Sequence, residues 1–238
     1  MNFGAGQKSI EIHLHLDGAV RPRTLFELAH SRNIPIPYST PEEPTKPYIL
    51  ANFSKGFHLI LPILAGDKVT IQRGTESGCL RKLSPYLKKA KKLRIHRTVH
   101  AGEKSPAEAV LEAVEKLHAE RIGHGYAIVN NPKIYQMVLK KRIHLETCPT
   151  CSWLTGAVDS VRPENHPICQ FAADGLDYSI NTDAPRMVNK WIGEELKFCQ
   201  ESLGLTKAEL EQCKRNAARA AFLETEEAKE ALLNHLFS

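Results

Sequence analysis

The chain lacks an apolar run long enough to cross a membrane. Its longest near-continuous run, Phe57 to Ala65, falls far short of the roughly 20 residues that a spanning helix needs. Residues Met1 to Lys8 lack the apolar stretch of a secretory signal. The six cysteines (79, 148, 151, 169, 199, 213) are scattered rather than framework-spaced, which predicts reduced thiols in a cytoplasmic protein. Aromatic residues make up only 7% and none interrupts the densest basic run, Lys88 to Arg94. That run reads as a solvated helix face rather than a nucleic-acid patch, and a net charge of +5 is mild. No glycine-rich loop follows the first apparent strand, which weighs against a dinucleotide fold. The class left is a soluble globular enzyme or binding domain. Histidine is what the chain has in number: eleven, several at places where chemistry is done.

Ser9 to Leu16 alternates strictly, with Ile10, Ile12, Leu14 and Leu16 on one face and Glu11, His13 and His15 on the other. This predicts a strand ended by Asp17-Gly18. A short helix is expected over 24–30, loop over 31–50, and a helix over 52–64; residues 66–80 are ambiguous. A basic helix over 83–93 leads into a strand at 94–100. Ser105-Pro106-Ala107-Glu108 reads as a capping box with proline at the first helical position. A strand at 121–123, a helix opened by Asn131-Pro132, a strand at 142–147 and a long loop follow. A helix at 167–173, a strand at 177–182 and three closing helices complete the chain. Strands alternating with helices predict a parallel α/β architecture, an open sheet or a barrel.

His13 and His15 are two apart on a strand, so their imidazoles share a face with Cα atoms about 6–7 Å apart. Such a pair can converge on Zn²⁺ or be polar surface. His100 ends the second strand, His124 follows the third and Asp183 ends the last. In a parallel barrel all these ends meet on one rim, which favours a metal site. Glu103, in the turn after His100, suits either a general acid or base or a helix N-terminal charge. Cys148-Pro149-Thr150-Cys151 has no second pair at zinc-ribbon spacing. The cytosine-type zinc deaminases use H-x-E with P-C-x-x-C, whereas His100-Ala101-Gly102-Glu103 is H-x-x-E and Pro149 follows the first cysteine.

Four segments together resemble the adenosine deaminase family: Ile12-His13-Leu14-His15-Leu16-Asp17-Gly18-Ala19, His96 to Glu103, Arg121-Ile122-Gly123-His124-Gly125-Tyr126 and Ser179-Ile180-Asn181-Thr182-Asp183. Cys148-Pro149 with Ser152-Trp153-Leu154-Thr155-Gly156 fits the same family. The resemblance implies a TIM-type (β/α)8 metallohydrolase barrel with one zinc per chain on His13, His15, His100 and Asp183. It implies hydrolysis of adenosine or 2′-deoxyadenosine to inosine and ammonia by zinc-activated water, within purine metabolism. Glu103 would protonate ring N1 while His124 and Asp183 orient the water. His15 and Asp17 would lie on the substrate side, Asp17 bonding the ribose 5′-hydroxyl.

Two departures stand out. The family carries a second aspartate after the last-strand one, facing purine N7, where this chain has Ala184. A lost hydrogen bond there is expected to cost ~1–3 kcal/mol of binding. Five strands can be read where eight close a barrel, and the family's purine-contacting turn is reduced to something like Gly74-Thr75-Glu76. The chain therefore reads as a single domain, 1–238, with an internal deletion near 73–93. Exposed sheet edges would favour self-association. The alternative to an active deaminase is a truncated, impaired isoform that keeps the metal motifs.

Overall fold

The computed structural model describes residues 8–15, 18–36, 39–40, 79–159 and 162–238. Asp17, the expected helix over 52–64, the Gly74–Glu76 turn and most of the 31–50 loop lie outside them. Four strands form one sheet: β1 (Thr98–Ala101), β2 (Arg121–His124), β3 (His144–Thr147) and β4 (Tyr178–Ile180). They lie in chain order and every neighbouring pair is parallel. Preceding them are α1 (Pro22–Ser31) and α2 (Cys79–Lys92), and between them run α3 (Ala107–Glu115), α4 (Pro132–Lys141), α5 (Pro149–Leu154) and α6 (Pro167–Ala173). After β4 come α7 (Pro185–Val188), α8 (Ile192–Glu201), α9 (Lys207–Ala220) and α10 (Glu226–Phe237). The described strands form an arc of a (β/α) barrel rather than a closed one.

The strands are buried, and their apolar residues meet those of the crossover helices. Val99, Ile122, Leu145 and Ile180 pack with Val110 and Leu117 of α3 or its exit, Ile134 and Val138 of α4, and Phe171 of α6. Each such side chain contributes roughly 1.5–3 kcal/mol when removed from water. Helix starts follow local chemistry. Asn131 Oδ1 accepts from the Lys133 and Ile134 amides, and Thr206 with Glu209 closes a reciprocal cap. Where Ser105 was expected to cap α3, the N-cap is Pro106 without a side-chain bond. Ser105 Oγ instead accepts from the Gly102 amide at 2.9 Å and braces the turn after β1. The stretch after β3 is α5 rather than loop. Lys88, Lys89, Lys91 and Lys92 are exposed, as on a solvated helix face.

The amino-terminal segment departs from the reading as a strand. Within 8–15 there is one bridge, Leu14 to Asp183, parallel. The His15 amide donates to Asp183 O at 2.7 Å and the Asp183 amide to His13 O at 3.2 Å. Below that, Asn181 Oδ1 accepts from the Ile12 and His13 amides, at 2.8 and 3.2 Å, where a backbone carbonyl would stand in a ladder. A side chain has replaced the strand partner, so no regular strand forms. His13 is 5% exposed and Leu14 is 41% exposed, so at this pair the histidine is the side that faces inward.

Candidate metal centre

β1 ends at Ala101 and β2 at His124, and their register sets His100 opposite Gly123. The amino-terminal segment crosses beside Asp183, so His13, His15, His100, His124 and Asp183 meet at one end of the sheet. His100 Nε2 is 3.1 Å from His13 Nε2. Asp183 Oδ1 is 3.1 Å from His15 Nε2 and 3.6 Å from His13 Nε2. Donors about 2.0–2.2 Å from one tetrahedral ion lie about 3.4 Å from one another. These three separations are near that figure, and the donors of His13, His15 and His100 all lie within 4.8 Å of one another, with Asp183 against His13 and His15. His124 also lies within reach: its donor atom, with those of His13 and Asp183, falls inside a 4.8 Å cluster.

Gly123 makes room for this cluster. A Cβ at that position would stand 2.4 Å from His100 Cδ2 and 2.9 Å from His13 Cε1. No side chain larger than hydrogen fits while both imidazoles hold their places.

The residues behind the donors fix their state. His13 Nδ1 is 2.7 Å from Glu146 Oε2, so Nδ1–H donates outward and Nε2 is the nitrogen that faces the cluster. Glu146 in turn accepts from Thr98 Oγ1 at 2.8 Å. Arg121 Nε stands 2.6 Å from Glu146 Oε1 but makes no aligned hydrogen bond, so that contact is an ion pair. Burial opposes charge on Glu146, yet the His13 and Arg121 interactions hold its pKa down to about 2. Burial would lower His13, but bonds to Asp183 and Glu146 outweigh it and raise its pKa to about 9. Burial and the neighbouring His13 and His15 lower His100 to about 3. Burial opposes ionisation of Asp183, but its contacts with His13 hold it well below the usual carboxylate range.

Glu103 faces the same space. Its Oε2 lies 3.7 Å from His124 Nε2, and its Oε1 accepts from Thr155 Oγ1 at 3.1 Å. Burial, then the charge of Asp183, raises its pKa. Burial, then the His13 charge, holds His124 neutral well below its ordinary value. A carboxyl with a raised pKa and a neutral imidazole thus share one edge of the cluster.

The structure brings together His13, His15, His100, Glu103, His124 and Asp183; Asp17 is outside the described residues. Sequence reasoning missed Glu146, whose signal is a carboxylate inside an otherwise buried strand. It also missed Asn181 and Cys151, whose Sγ donates to Asp183 Oδ2 at 2.7 Å. Cys148 and Cys151 are buried thiols, and the five cysteines with described side chains are free. Ala184 is fully buried, beside Leu25, Ala29 and Met187.

The sequence model of the adenosine deaminase family matches residues 9–73 and 69–238. The chain belongs to that family. Chicken adenosine deaminase is 29% identical over 342 positions, covering 98% of this chain and 95% of the chicken protein. Since the chain has 238 residues, more than a hundred positions of that alignment are empty here. Mouse adenosine deaminase is 41% identical over 138 residues, covering 58% of this chain and 39% of the mouse protein. Among solved structures, an adenine deaminase from Arthrobacter aurescens superposes with a TM-score of 0.83 at 19% identity, covering 97% of this chain and 98% of that one. An amidohydrolase from Burkholderia ambifaria with bound zinc gives 0.74 at 19% identity, with 96% and 89% covered. An N6-methyl-AMP deaminase from Arabidopsis thaliana gives 0.76 at 18% identity, with 97% and 96% covered. These likenesses assign the fold to the TIM-type metallohydrolase barrels, of which this chain carries part. Family membership makes it a hydrolase type acting on C–N bonds.

Proposed function

We propose that this chain hydrolyses the 6-amino group of adenosine or 2′-deoxyadenosine, giving inosine or its deoxy form and ammonia. It would use one zinc per chain held by His13, His15, His100 and Asp183. The observation that carries this reading is three imidazoles clustered within 4.8 Å with the Asp183 carboxylate 3.1 and 3.6 Å from two of them, and Glu103, its pKa raised by burial, on the same edge. When bound, zinc supplies a water acidified towards a pKa of about 7. His13 turns Nε2 to the cluster because its Nδ1–H donates to Glu146, and it would give up its Nε2 proton on binding a metal ion. Glu103 keeps its proton closer to neutral pH than an exposed carboxyl would, so it can deliver it to ring N1. His124, neutral and beside Glu103, offers a hydrogen bond to the attacking water. Asp183, pinned by Cys151 on one oxygen, presents the other to the cluster. Asp17 is assigned to the ribose 5′-hydroxyl by family likeness, and His15 to the substrate side. Adenosine is favoured because the relatives at 29% and 41% identity are adenosine deaminases.

The chain is read as one domain, 1–238, lacking an internal block near 73–93. The two family matches meet at 69–73, which supports a break in that neighbourhood. No helix among the described residues is long and apolar enough to cross a membrane, and we place the chain in the cytoplasm. A second reading follows from the same gap: a chain that holds zinc but has lost the strands that shape a purine pocket. Spectrophotometric conversion of adenosine to inosine, with zinc measured on the same sample, separates the two. Zinc with turnover supports the first reading, and zinc without turnover supports the second.

A further inference from the structure

The opposite ends of the same strands carry a second concentration of charge. An open pocket of about 260 Å³ lies where β2 and β3 begin, floored by Arg121 and His144 and edged by Asp177, just before β4. Arg142, Arg219 and Lys229 complete its cationic side, and Glu120 stands with Asp177 on the acidic side.

The carboxylates there are already engaged. Glu120 pairs with Arg97 at 3.3 Å and His96 at 3.2 Å. Asp177 Oδ1 is 2.8 Å from His144 Nδ1. Of the cations, Arg121 is held by Glu146 and by Ala220 O at 2.8 Å, and Lys229 by Glu226 at 2.8 Å. Arg142 and Arg219 have no carboxylate partner among the described residues. The pocket thus retains two guanidiniums free to act, with Lys229 beside them.

The pocket is also stiffened. Phe222 stacks on His96 with ring centres 4.4 Å apart, and the Arg121 guanidinium lies 3.6 Å from the Phe222 ring centre. Arg142 holds its place at the end of α4 with φ +49°, a conformation that glycine would adopt at less cost. Planar guanidiniums with no acid partner, in a concave and partly apolar setting, match the oxygens of phosphate two at a time. We propose that this pocket binds a phosphate-type oxyanion, either free phosphate or the phosphoryl group of a small phosphomonoester. It lies apart from the metal cluster and stands whether or not the chain deaminates adenosine.

Calorimetric titration of the full chain at constant ionic strength tests this, with inorganic phosphate in one arm and ribose 5-phosphate in the other. Saturable one-site binding is expected in at least one arm. Equal affinities would identify the free oxyanion as sufficient, and tenfold tighter ribose 5-phosphate would identify an esterified ligand. Arg142→Gly with Arg219→Ala should weaken binding at least tenfold, glycine suiting the left-handed backbone at 142. Arg219→Glu, a single exposed change, should abolish binding and serves if the double variant fails to fold. Arg121 is left intact because it supports Glu146. No saturable binding in either arm overturns the proposal. So does unchanged binding by a folded variant, which would place the anion elsewhere and leave the two arginines as mere complements of the helix ends.

Discussion

The body of the molecule and its amino-terminal limb are held by different forces. From Val99 to Cys213 one continuous apolar cluster joins the four strands to their helices. The limb carrying His13 and His15 reaches that body mainly through polar bonds. Asn181 takes the Ile12 and His13 amides, Glu11 Oε2 accepts from Thr182, and Glu146 takes His13 Nδ1. Its apolar share is a small separate cluster in which Leu25 and Ala29 meet Ala184 and Met187. Two of the four proposed ligands therefore sit on the less firmly packed part. A metal bound across the junction would tie limb to body, so its binding energy would become folding energy there.

The largest effect expected concerns the body alone. Glu103→Gln should lower turnover by ~10²–10⁴, the usual worth of a positioned acid, while zinc stays bound. A loss smaller than tenfold, in a parent with measurable activity, would contradict its role. Next is the seam itself. Gly123→Ala should displace His100 and His13 and lower zinc affinity at least tenfold, with the far-UV circular dichroism of the body intact. Zinc affinity equal to the parent's would show that the imidazoles do not occupy the places described.

Asn181→Ala acts on the limb. It leaves two amides without their acceptor, at ~1–3 kcal/mol, and should weaken zinc binding roughly five- to a hundredfold. Limited proteolysis should then cut the limb before the body; simultaneous loss of both would erase the distinction between them. The last effect lies wholly inside the body. Burial lowers His166 from 6.5 to about 4, and its Nδ1 accepts the Ile168 amide at 3.2 Å to cap α6. Below pH 6.5 the unfolded chain takes a proton that the folded one refuses. Stability therefore falls as pH drops from 6.5 towards 4, by up to ~3 kcal/mol. His166→Asn keeps a capping acceptor without the titration. Its urea-unfolding free energy should lose less between pH 7 and pH 4 than the parent's.

Much of the rim was legible because ligands at strand ends leave a mark in one dimension. His13 and His15 show period two, and His100, His124 and Asp183 each stand at or just past the end of a segment that reads as a strand. The parallel α/β architecture and the alternating crossover helices followed from periodicity. What was not legible depends on neighbours distant in sequence. Glu146 becomes a support only when β3 lies behind His13, 133 positions away. Asn181 reads as an ordinary loop residue until its amide replaces a strand partner. The alternation over the described residues 9–15 set His13 apart from Leu14 but carried no sign that the histidine side would be the buried one. The phosphate-type pocket escaped because Arg142, Arg219 and Lys229 belong to three separate helix ends or tails.

The most direct test of the metal centre is the zinc content of the folded full chain, purified without chelator and measured by elemental analysis. About one zinc per chain is expected, and His100→Ala should remove most of it, since its Nε2 stands 3.1 Å from that of His13. A folded preparation that holds no zinc, and takes up none when zinc is supplied, would contradict the assignment of His13, His15, His100 and Asp183 as one site.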